Sequence, residues 1–162
     1  MDNAYYYCTN LQESHCDINI TSMINAYRKC DKLTNAVCGP NVINMTNAYF
    51  NCANLVNPSC GINVTDMSNT YKYCPNIIVP VCGENVINMS GTYQWCNNIV
   101  NPVCGINVID FTKTYADCPK IISAICGDNV KIMDQTYINC SNLLYPTSGV
   151  NVLTMNYTYA NC

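Results

Sequence analysis

The sequence predicts a repeat solenoid of the α/β class, with seven stacked coils that each contain a short strand and a short helix. Three observations predict it. The chain after Cys8 divides without a gap into seven rows of 22 residues, from 9–30 to 141–162. Residues 1–8 match the last eight positions of a row and form a partial N-terminal repeat. No linker or shift in composition interrupts the rows, so the pattern predicts a single solenoid domain over residues 1–162.

The second half of each row predicts a short helix. Positions 12, 15, 19 and 22, which are Val64, Met67, Tyr71 and Cys74 in the third row, follow the spacing of the buried face of a helix. Most rows place Ser, Asn, Asp or Thr at position 14, and these residue types favour a helix N-cap. We therefore expect about two helical turns after position 14.

The first half of each row predicts a strand that enters a turn. Positions 3–8 are rich in β-branched residues, and glycine follows at position 9 of most rows. Proline occupies position 6 in four rows, as Pro58, Pro80, Pro102 and Pro146. Because proline cannot donate a hydrogen bond to a strand ladder, the strand is expected to be short or kinked.

Stacking of the rows places equivalent residues in ladders along the solenoid axis. A single 22-residue unit cannot bury its own apolar faces, so each row is expected to cover its neighbour. The asparagine at position 11 is expected to point inward and to satisfy the backbone of the turn, since buried polar groups need partners. The predicted ladders are Asn19, Asn41, Asn63, Asn85, Asn107, Asn129 and Asn151 at position 11, and Tyr27, Tyr49, Tyr71, Tyr93, Tyr115, Tyr137 and Tyr159 at position 19.

The repeat resembles a known family. The frame Leu55-x-x-Pro58-x-Cys60-x-x-Asn63 is similar to the L-x-x-L-x-L-x-x-N frame of leucine-rich repeats. The string "NVTDMSNTYKYCPNI" resembles more closely a string of the BspA-like leucine-rich repeat surface proteins, although the rows are shorter and tyrosine stands where phenylalanine is common. The resemblance covers the whole chain. It implies a leucine-rich-repeat-like solenoid that serves in recognition or adhesion at a cell surface or virion, without catalytic residues or a cofactor.

Composition excludes several classes of partner. A net charge of −3, with only 10% charged residues, gives no electrostatic footprint for nucleic acid. No apolar run approaches the roughly 20 residues of a membrane span. The N-terminus shows no secretion signal, and Met1 fits either a true start or a slice of a longer array. The only histidine is His15, and no carboxylate recurs in a fixed position, so we predict that the protein is not an enzyme.

The fourteen cysteines alternate at spacings of 14 and 8. Pairing within rows would leave Cys8 and Cys162 as unpaired cysteines, and pairing across row boundaries, from Cys8 with Cys16 onward, would leave Cys140 and Cys162 unpaired. Pairing equivalent cysteines of adjacent rows would use all fourteen, because stacked strands lie about 4.8 Å apart. Alternatively, cysteine acts as a small buried apolar side chain, which the replacement of one cysteine by Ser148 favours. Both readings stay open at this point. No C-x₂₋₄-C pair occurs, so no zinc site is predicted.

Positions 4, 5 and 7 are expected to face outward and to form an apolar contact surface. We predict that this strand face binds a protein or glycan partner. If the coil is flatter than a leucine-rich repeat, some of these side chains point inward instead. The second hypothesis is a structural subunit that associates end to end into a fibre or appendage, because the last row has no polar cap. The candidate contact residues are Val56, Ile78, Val79, Val81, Val100, Val103, Ile122, Ile125 and Leu144.

Overall fold

A computed structural model describes residues 1–162 as stacked coils that repeat every 22 residues. We number the coils 1 to 7, from residues 9–30 to 141–162, and residues 1–8 add part of a preceding coil. The structure contains no helix and no continuous strand, so the predicted α/β class is wrong. Its regular contacts are isolated parallel bridges between residues 22 apart. These bridges are Ser22–Asn44, Asn35–Asn57, Asn44–Asp66, Asp66–Asn88, Asn88–Asp110, Asp110–Ile132, Ser123–Tyr145 and Ile132–Thr154.

Positions 15–22 form consecutive β-turns where a helix was predicted. In coil 1 the N–H of Ala26 donates to the carbonyl of Met23, and the N–H of Cys30 donates to the carbonyl of Tyr27. The third residue of each turn, Asn25 and then Lys29, has a positive φ of 52° and 61°. Such left-handed residues recur at positions 17 and 21 of every coil. This backbone is that of type II turns and not of a helix.

The distance between coils explains why turns replace the helix. Stacked tyrosine rings of successive coils have centroids 5.0–6.0 Å apart. An α-helix is about 10 Å wide, so helices cannot stack at this distance. The turns direct alternate N–H groups toward the following coil. The N–H groups at positions 15, 17, 19 and 21 of one coil donate to the carbonyls at positions 14, 16, 18 and 20 of the next. Between coils 1 and 2 these four bonds measure 2.8–3.0 Å, and the same set recurs at every interface.

Position 14 has the capping geometry that its residue types predict, although no helix follows it. The Oδ1 atom of Asn44 accepts a hydrogen bond from the N–H of Thr46 at 2.8 Å, and Asp66 accepts one from Ser68 at the same distance. Each side chain thus bonds to the backbone two residues on, which is an Asx-turn. The cap therefore starts the run of turns instead of a helix.

The predicted strand is reduced to isolated bridges, and the prolines account for its interruption. At position 5, bridges join only coils 2 and 3 and coils 6 and 7. In those pairs, Ala36 and Ala124 at position 6 donate their N–H to the next coil at 2.9 Å. Coils 3, 4 and 5 have Pro58, Pro80 and Pro102 there, and proline has no N–H to donate.

The tyrosine at position 19 crosses the inside of each coil. Its ring is fully buried in coils 1–6, among methionine, valine, leucine, isoleucine and cysteine side chains. Its hydroxyl reaches the opposite wall at position 7. In coil 4 the Tyr93 hydroxyl donates to the carbonyl of Val81 at 2.7 Å and accepts from the N–H of Val81 at 2.8 Å. Phenylalanine could not make these bonds, which explains why tyrosine replaces it in this repeat.

We expect the substitution Tyr93→Phe to lower the free energy of unfolding by about 1–3 kcal/mol, because it leaves a buried N–H and C=O without a partner. Urea unfolding monitored by circular dichroism measures this difference. Tyr157→Phe is the control, since that ring is largely exposed and its hydroxyl makes no hydrogen bond. Equal stability of the two variants would show that the hydroxyl does not brace the coil.

Candidate functional site

The predicted contact residues divide into an exposed and a half-buried group. Val81, Val103 and Ile125 at position 7 are half-buried, so position 7 does not face fully outward, and Val100 at position 4 of coil 5 is half-buried as well. The exposed apolar side chains at positions 4 and 5 belong to coils 3, 4, 6 and 7 and are 43–70% exposed. Tyr145, which the sequence analysis missed, adds an exposed ring at position 5. We define the strand-face stripe as Val56, Ile78, Val79, Ile122, Leu144 and Tyr145.

Free backbone groups lie among the apolar side chains of the strand-face stripe. The N–H groups of Ile78, Val79, Val100 and Ile122 have no hydrogen-bond partner within the protein. This lack follows from the proline interruption of the ladder between coils 3 and 6. Backbone groups without a protein partner bond to water or to a ligand. The stripe therefore offers directional hydrogen bonding as well as apolar surface.

One depression on this face is suited to receive a side chain. It has a volume of 480 Å³ and lies between coils 5 and 7. Apolar and polar groups both contribute to its wall. The lining residues are Val100, Lys120, Ile122, Ser141, Asn142 and Leu144.

The asparagine ladder at position 11 lies on the outside of the solenoid. The prediction from the sequence that these side chains point inward is therefore wrong. From Asn41 to Asn151, each amide Nδ2 donates to a carbonyl at position 10 of the preceding coil. Asn41 bonds to Ile18 and Asn63 bonds to Pro40, both at 2.8 Å. Only the short valine at position 12 turns inward here. The ladder therefore satisfies backbone carbonyls of the turns, as proposed, but from the solvent side.

A second groove, which sequence reasoning missed, runs beside the asparagine ladder. It has a volume of 510 Å³ and crosses coils 3 to 6. Its apolar residues are Ile87 and Ile109 at position 13, which are 45% and 42% exposed. In an extended segment successive side chains alternate between faces, so an inward position 12 implies an outward position 13. Because positions 12 to 22 were predicted to form a helix, the outward direction of position 13 was not recognised from the sequence.

The two ends of the stack present complementary backbone groups. In coil 7 the N–H groups of Met155, Tyr157, Tyr159 and Asn161 have no partner within residues 1–162. At the other end the carbonyls of Asp2, Ala4 and Tyr6 accept no hydrogen bond. These are the donors and acceptors that join coils elsewhere in the stack.

Asp17 opposes the stacking of a further coil on coil 1. It occupies position 9, where coils 2 to 7 have glycine. A Cβ atom at those glycines would lie 2.8–3.3 Å from a carbonyl of the preceding coil. The Cβ of Asp17 would therefore crowd any coil placed against it in the same register.

All fourteen cysteines are free thiols in this structure. At position 22 each Sγ lies 3.1–3.2 Å from a tyrosine carbonyl of the preceding coil, as for Cys52 and Tyr27. At position 8 the sulfur of Cys38 lies 3.5 Å from the Sδ of Met45. Cys8 and Cys162 are the exposed members of the set.

Burial suppresses ionisation of the internal thiols. It raises the pKa of Cys74 to about 12 and that of Cys38 to about 12. Burial also raises the pKa of Cys162. Because the thiolate is the reactive form, the internal thiols are poor nucleophiles at neutral pH.

His15 is exposed in coil 1, and its backbone bonds to the hydroxyl of Tyr27. No group of three or more His, Cys, Asp or Glu side chains is placed to hold a metal ion. No helix is present that could cross a membrane.

Comparison with solved structures identifies the class of fold. A leucine-rich repeat protein from Bacteroides ovatus ATCC 8483 superposes with a TM-score of 0.81 at 16% identity, over 94% of this chain and 41% of that one. The leucine-rich repeat protein of T. pallidum gives 0.68 at 17% identity, over 77% of this chain and 60% of that one. The chain thus spans less than two thirds of either protein. No protein-family model and no curated protein matches the sequence.

These likenesses establish the fold. The chain is a repeat solenoid with the fold of leucine-rich repeat proteins, which confirms that part of the prediction. The narrower resemblance to BspA-like surface proteins stays a prediction.

We expect native alkylation by iodoacetamide at pH 8 to modify Cys8 first and Cys162 next, while the buried thiols of position 22 react only after unfolding. Mass spectrometry of the digested protein gives the order. As a control, denaturation without a reductant should expose all fourteen thiols. Fewer than fourteen modified cysteines in that sample would show that some form disulfides.

Proposed function

We propose that this protein is a non-catalytic recognition solenoid that binds a protein or glycan partner through the strand-face stripe, in an adhesive role at a cell or virion surface. One observation carries the proposal: large apolar side chains are exposed in coils 3, 4, 6 and 7, with the half-buried Val100 of coil 5 between them. An exposed apolar surface of this kind is typical of contact sites. Repeat solenoids commonly use an extended face for binding.

The mixture of groups on the stripe favours a broad contact over a deep pocket. Ile78 and Val79 are exposed side by side, and their N–H groups lack a protein partner. A partner that covers the stripe would remove apolar area from water and supply acceptors for these donors. Neither contact needs a charged residue, in keeping with the low charge of the chain.

An enzymatic role has little support in the same surface. His15 lies in coil 1, outside the stripe. The lining of the depression between coils 5 and 7 includes Lys120 and Ser141 but no histidine or carboxylate that could act as a base.

We expect the double substitution Ile78→Ser with Leu144→Ser to weaken partner binding by at least about tenfold, since it removes two exposed apolar contacts worth together more than about 1.4 kcal/mol. Binding of the labelled protein to a glycan array and to cells, with and without protease treatment of the cells, measures affinity and separates glycan from protein targets. The matched control is Ile87→Ser with Ile109→Ser, which removes both apolar side chains of the position-13 groove. Loss of binding in the control alone would transfer the function to that groove.

A second candidate is end-to-end self-association, and the complementary ends of the stack favour it. The unpaired N–H groups of coil 7 match the unpaired carbonyls of residues 1–8 in type and spacing. It ranks second because residues 1–8 fill only the turn half of a layer, so a copy stacked on them would leave the strand half of that layer, in front of Asp17, unfilled. In this reading the partner is a further copy of the chain.

If ends associate, Met155→Lys should weaken association at least tenfold, because Met155 is 39% exposed on the open side of coil 7 while the methionines at the same position of coils 1 to 4 and 6 are fully buried. Light scattering across a dilution series, with and without reductant, gives the mass of both proteins. Val150→Lys, at an outward position of the same coil that is 89% exposed, adds the same charge and serves as the control. Monomers of both proteins at every concentration would rule out end-to-end assembly, and oligomers that vanish on reduction would assign it to Cys8 and Cys162.

A further inference from the structure

A cluster of aromatic side chains lies on the turn side of the solenoid, away from the strand-face stripe. Phe50, Tyr73 and Trp95 come from successive coils at positions 20 and 21. The rings of Phe50 and Tyr73 meet edge to face with centroids 5.4 Å apart. Those of Tyr73 and Trp95 stack at 6.2 Å with an angle of 17°. Tyr73 and Trp95 are 39% and 42% exposed.

The backbone at these residues gives the first sign that they serve a function. Tyr73 and Trp95 have φ angles of 62° and 65°, in the left-handed region. That region is unfavourable for bulky residues and far better tolerated by asparagine. Asparagine occupies the equivalent position in coils 2, 6 and 7, as Asn51, Asn139 and Asn161, while coils 1 and 5 have Lys29 and Asp117 there. The fold therefore does not need aromatic rings here, and places two of them against backbone preference.

Three cations in the turn half of the repeat have no carboxylate within ion-pair distance, and two of them lie against the rings. The Arg28 guanidinium lies 4.2 Å from the ring centroid of Phe50, and its buried Nε makes no hydrogen bond. The Nζ of Lys72 lies 5.4 Å from the ring centroid of Tyr73. The third cation is Lys113 in coil 5. The one ion pair in the structure joins the N-terminus to Asp2, so none of these cations is neutralised by a salt bridge.

The electrostatics of the cluster leave an excess of positive charge. Burial lowers the pKa of Lys72, and the nearby positive charge of Lys113 lowers it further. The carboxylate that opposes this effect belongs to Asp117. Its two oxygens already accept hydrogen bonds from the amides of Gln94, at 3.2 Å, and Asn139, at 2.6 Å. Lys72 and Lys113 thus outnumber the one carboxylate that acts on Lys72, on a chain whose net charge is −3.

We propose that this patch, formed by Phe50, Tyr73, Trp95, Arg28, Lys72 and Lys113, binds an acidic polysaccharide lying along the solenoid axis. The aromatic rings would pack against the C–H surfaces of sugar rings, and the cations would pair with carboxylate or sulfate groups. This site lies on a different face from the strand-face stripe and does not depend on it.

The arrangement of the cations favours a polysaccharide over other polyanions. Arg28, Lys72 and Lys113 belong to coils 1, 3 and 5, so they recur about every 10 Å at the usual spacing between strands. That interval is about the length of two sugars, so a polymer with an acidic group on every sugar can present every second group to the cations. Nucleic acid carries charges at much closer intervals and is held by more cations than the patch provides.

The single tryptophan gives a direct test. We expect titration with polygalacturonate to change the fluorescence of Trp95 in a saturable way that weakens with added salt. Neutral dextran of the same length should have no effect. Lys72→Gln with Lys113→Gln should weaken binding at least tenfold, while Lys32→Gln with Lys120→Gln, which changes the net charge equally at exposed position-2 sites, should leave it unchanged. Asp117→Asn should strengthen binding.

A further variant separates binding from folding. Trp95→Asn should abolish binding of polygalacturonate in calorimetry and yet raise the melting temperature, because asparagine suits the left-handed backbone. The proposal is overturned if Trp95 fluorescence does not respond, if both lysine pairs weaken binding equally, or if polyglutamate or single-stranded DNA binds as tightly as polygalacturonate. The variant Ile78→Ser with Leu144→Ser, which alters the strand-face stripe, should bind polygalacturonate with unchanged affinity in the Trp95 fluorescence titration.

Discussion

Backbone hydrogen bonding between coils is the constraint on which the rest of the structure depends. Both sides of every coil must meet the next coil at a spacing of about 5 Å. On the turn side this requires alternate N–H groups to point along the axis, and therefore a left-handed residue at positions 17 and 21. The same spacing stacks the tyrosine rings and leaves no room for a Cβ at position 9 of coils 2 to 7. One distance thus determines the conformation of each half of the repeat.

The inward positions could be predicted from the sequence, but the conformation between them could not. Val64, Met67, Tyr71 and Cys74 are all buried, as their pattern indicates. Their spacing of three, four and three residues fits one face of a helix and equally fits consecutive turns that return to the core. Asparagine at position 17 of the first coils is the sequence signal that separates the two, because it tolerates left-handed backbone. Similarly, periodicity identified the asparagine ladder without revealing which side of the wall it occupies.

Thiols suit this narrow interior for a reason that does not involve disulfides. At position 22 the side chain lies between two coils and beside a carbonyl of the preceding coil. A leucine would be too large for the space, and an alanine would leave the carbonyl without a weak donor. Raised pKa values keep these thiols neutral, so the ladder adds no buried charge. Serine replaces the other cysteine of the repeat, at position 8, in coil 7. Ser148 is exposed there, so that site does not need an apolar side chain.

The same constraint determines where function can reside. Because the backbone bonds and the inward side chains hold the stack together, outward positions can change with little effect on it. At positions 4 and 5, proline opens the ladder between coils and exposes valine and isoleucine beside free N–H groups. At position 21, two coils accept unfavourable backbone geometry to expose Tyr73 and Trp95. Coils 2, 6 and 7 have asparagine at position 21, so a residue that suits the left-handed backbone is available to the repeat. An unfavourable residue at such a position is stronger evidence for binding than exposure alone. On that criterion the aromatic patch is the more strongly marked of the two surfaces.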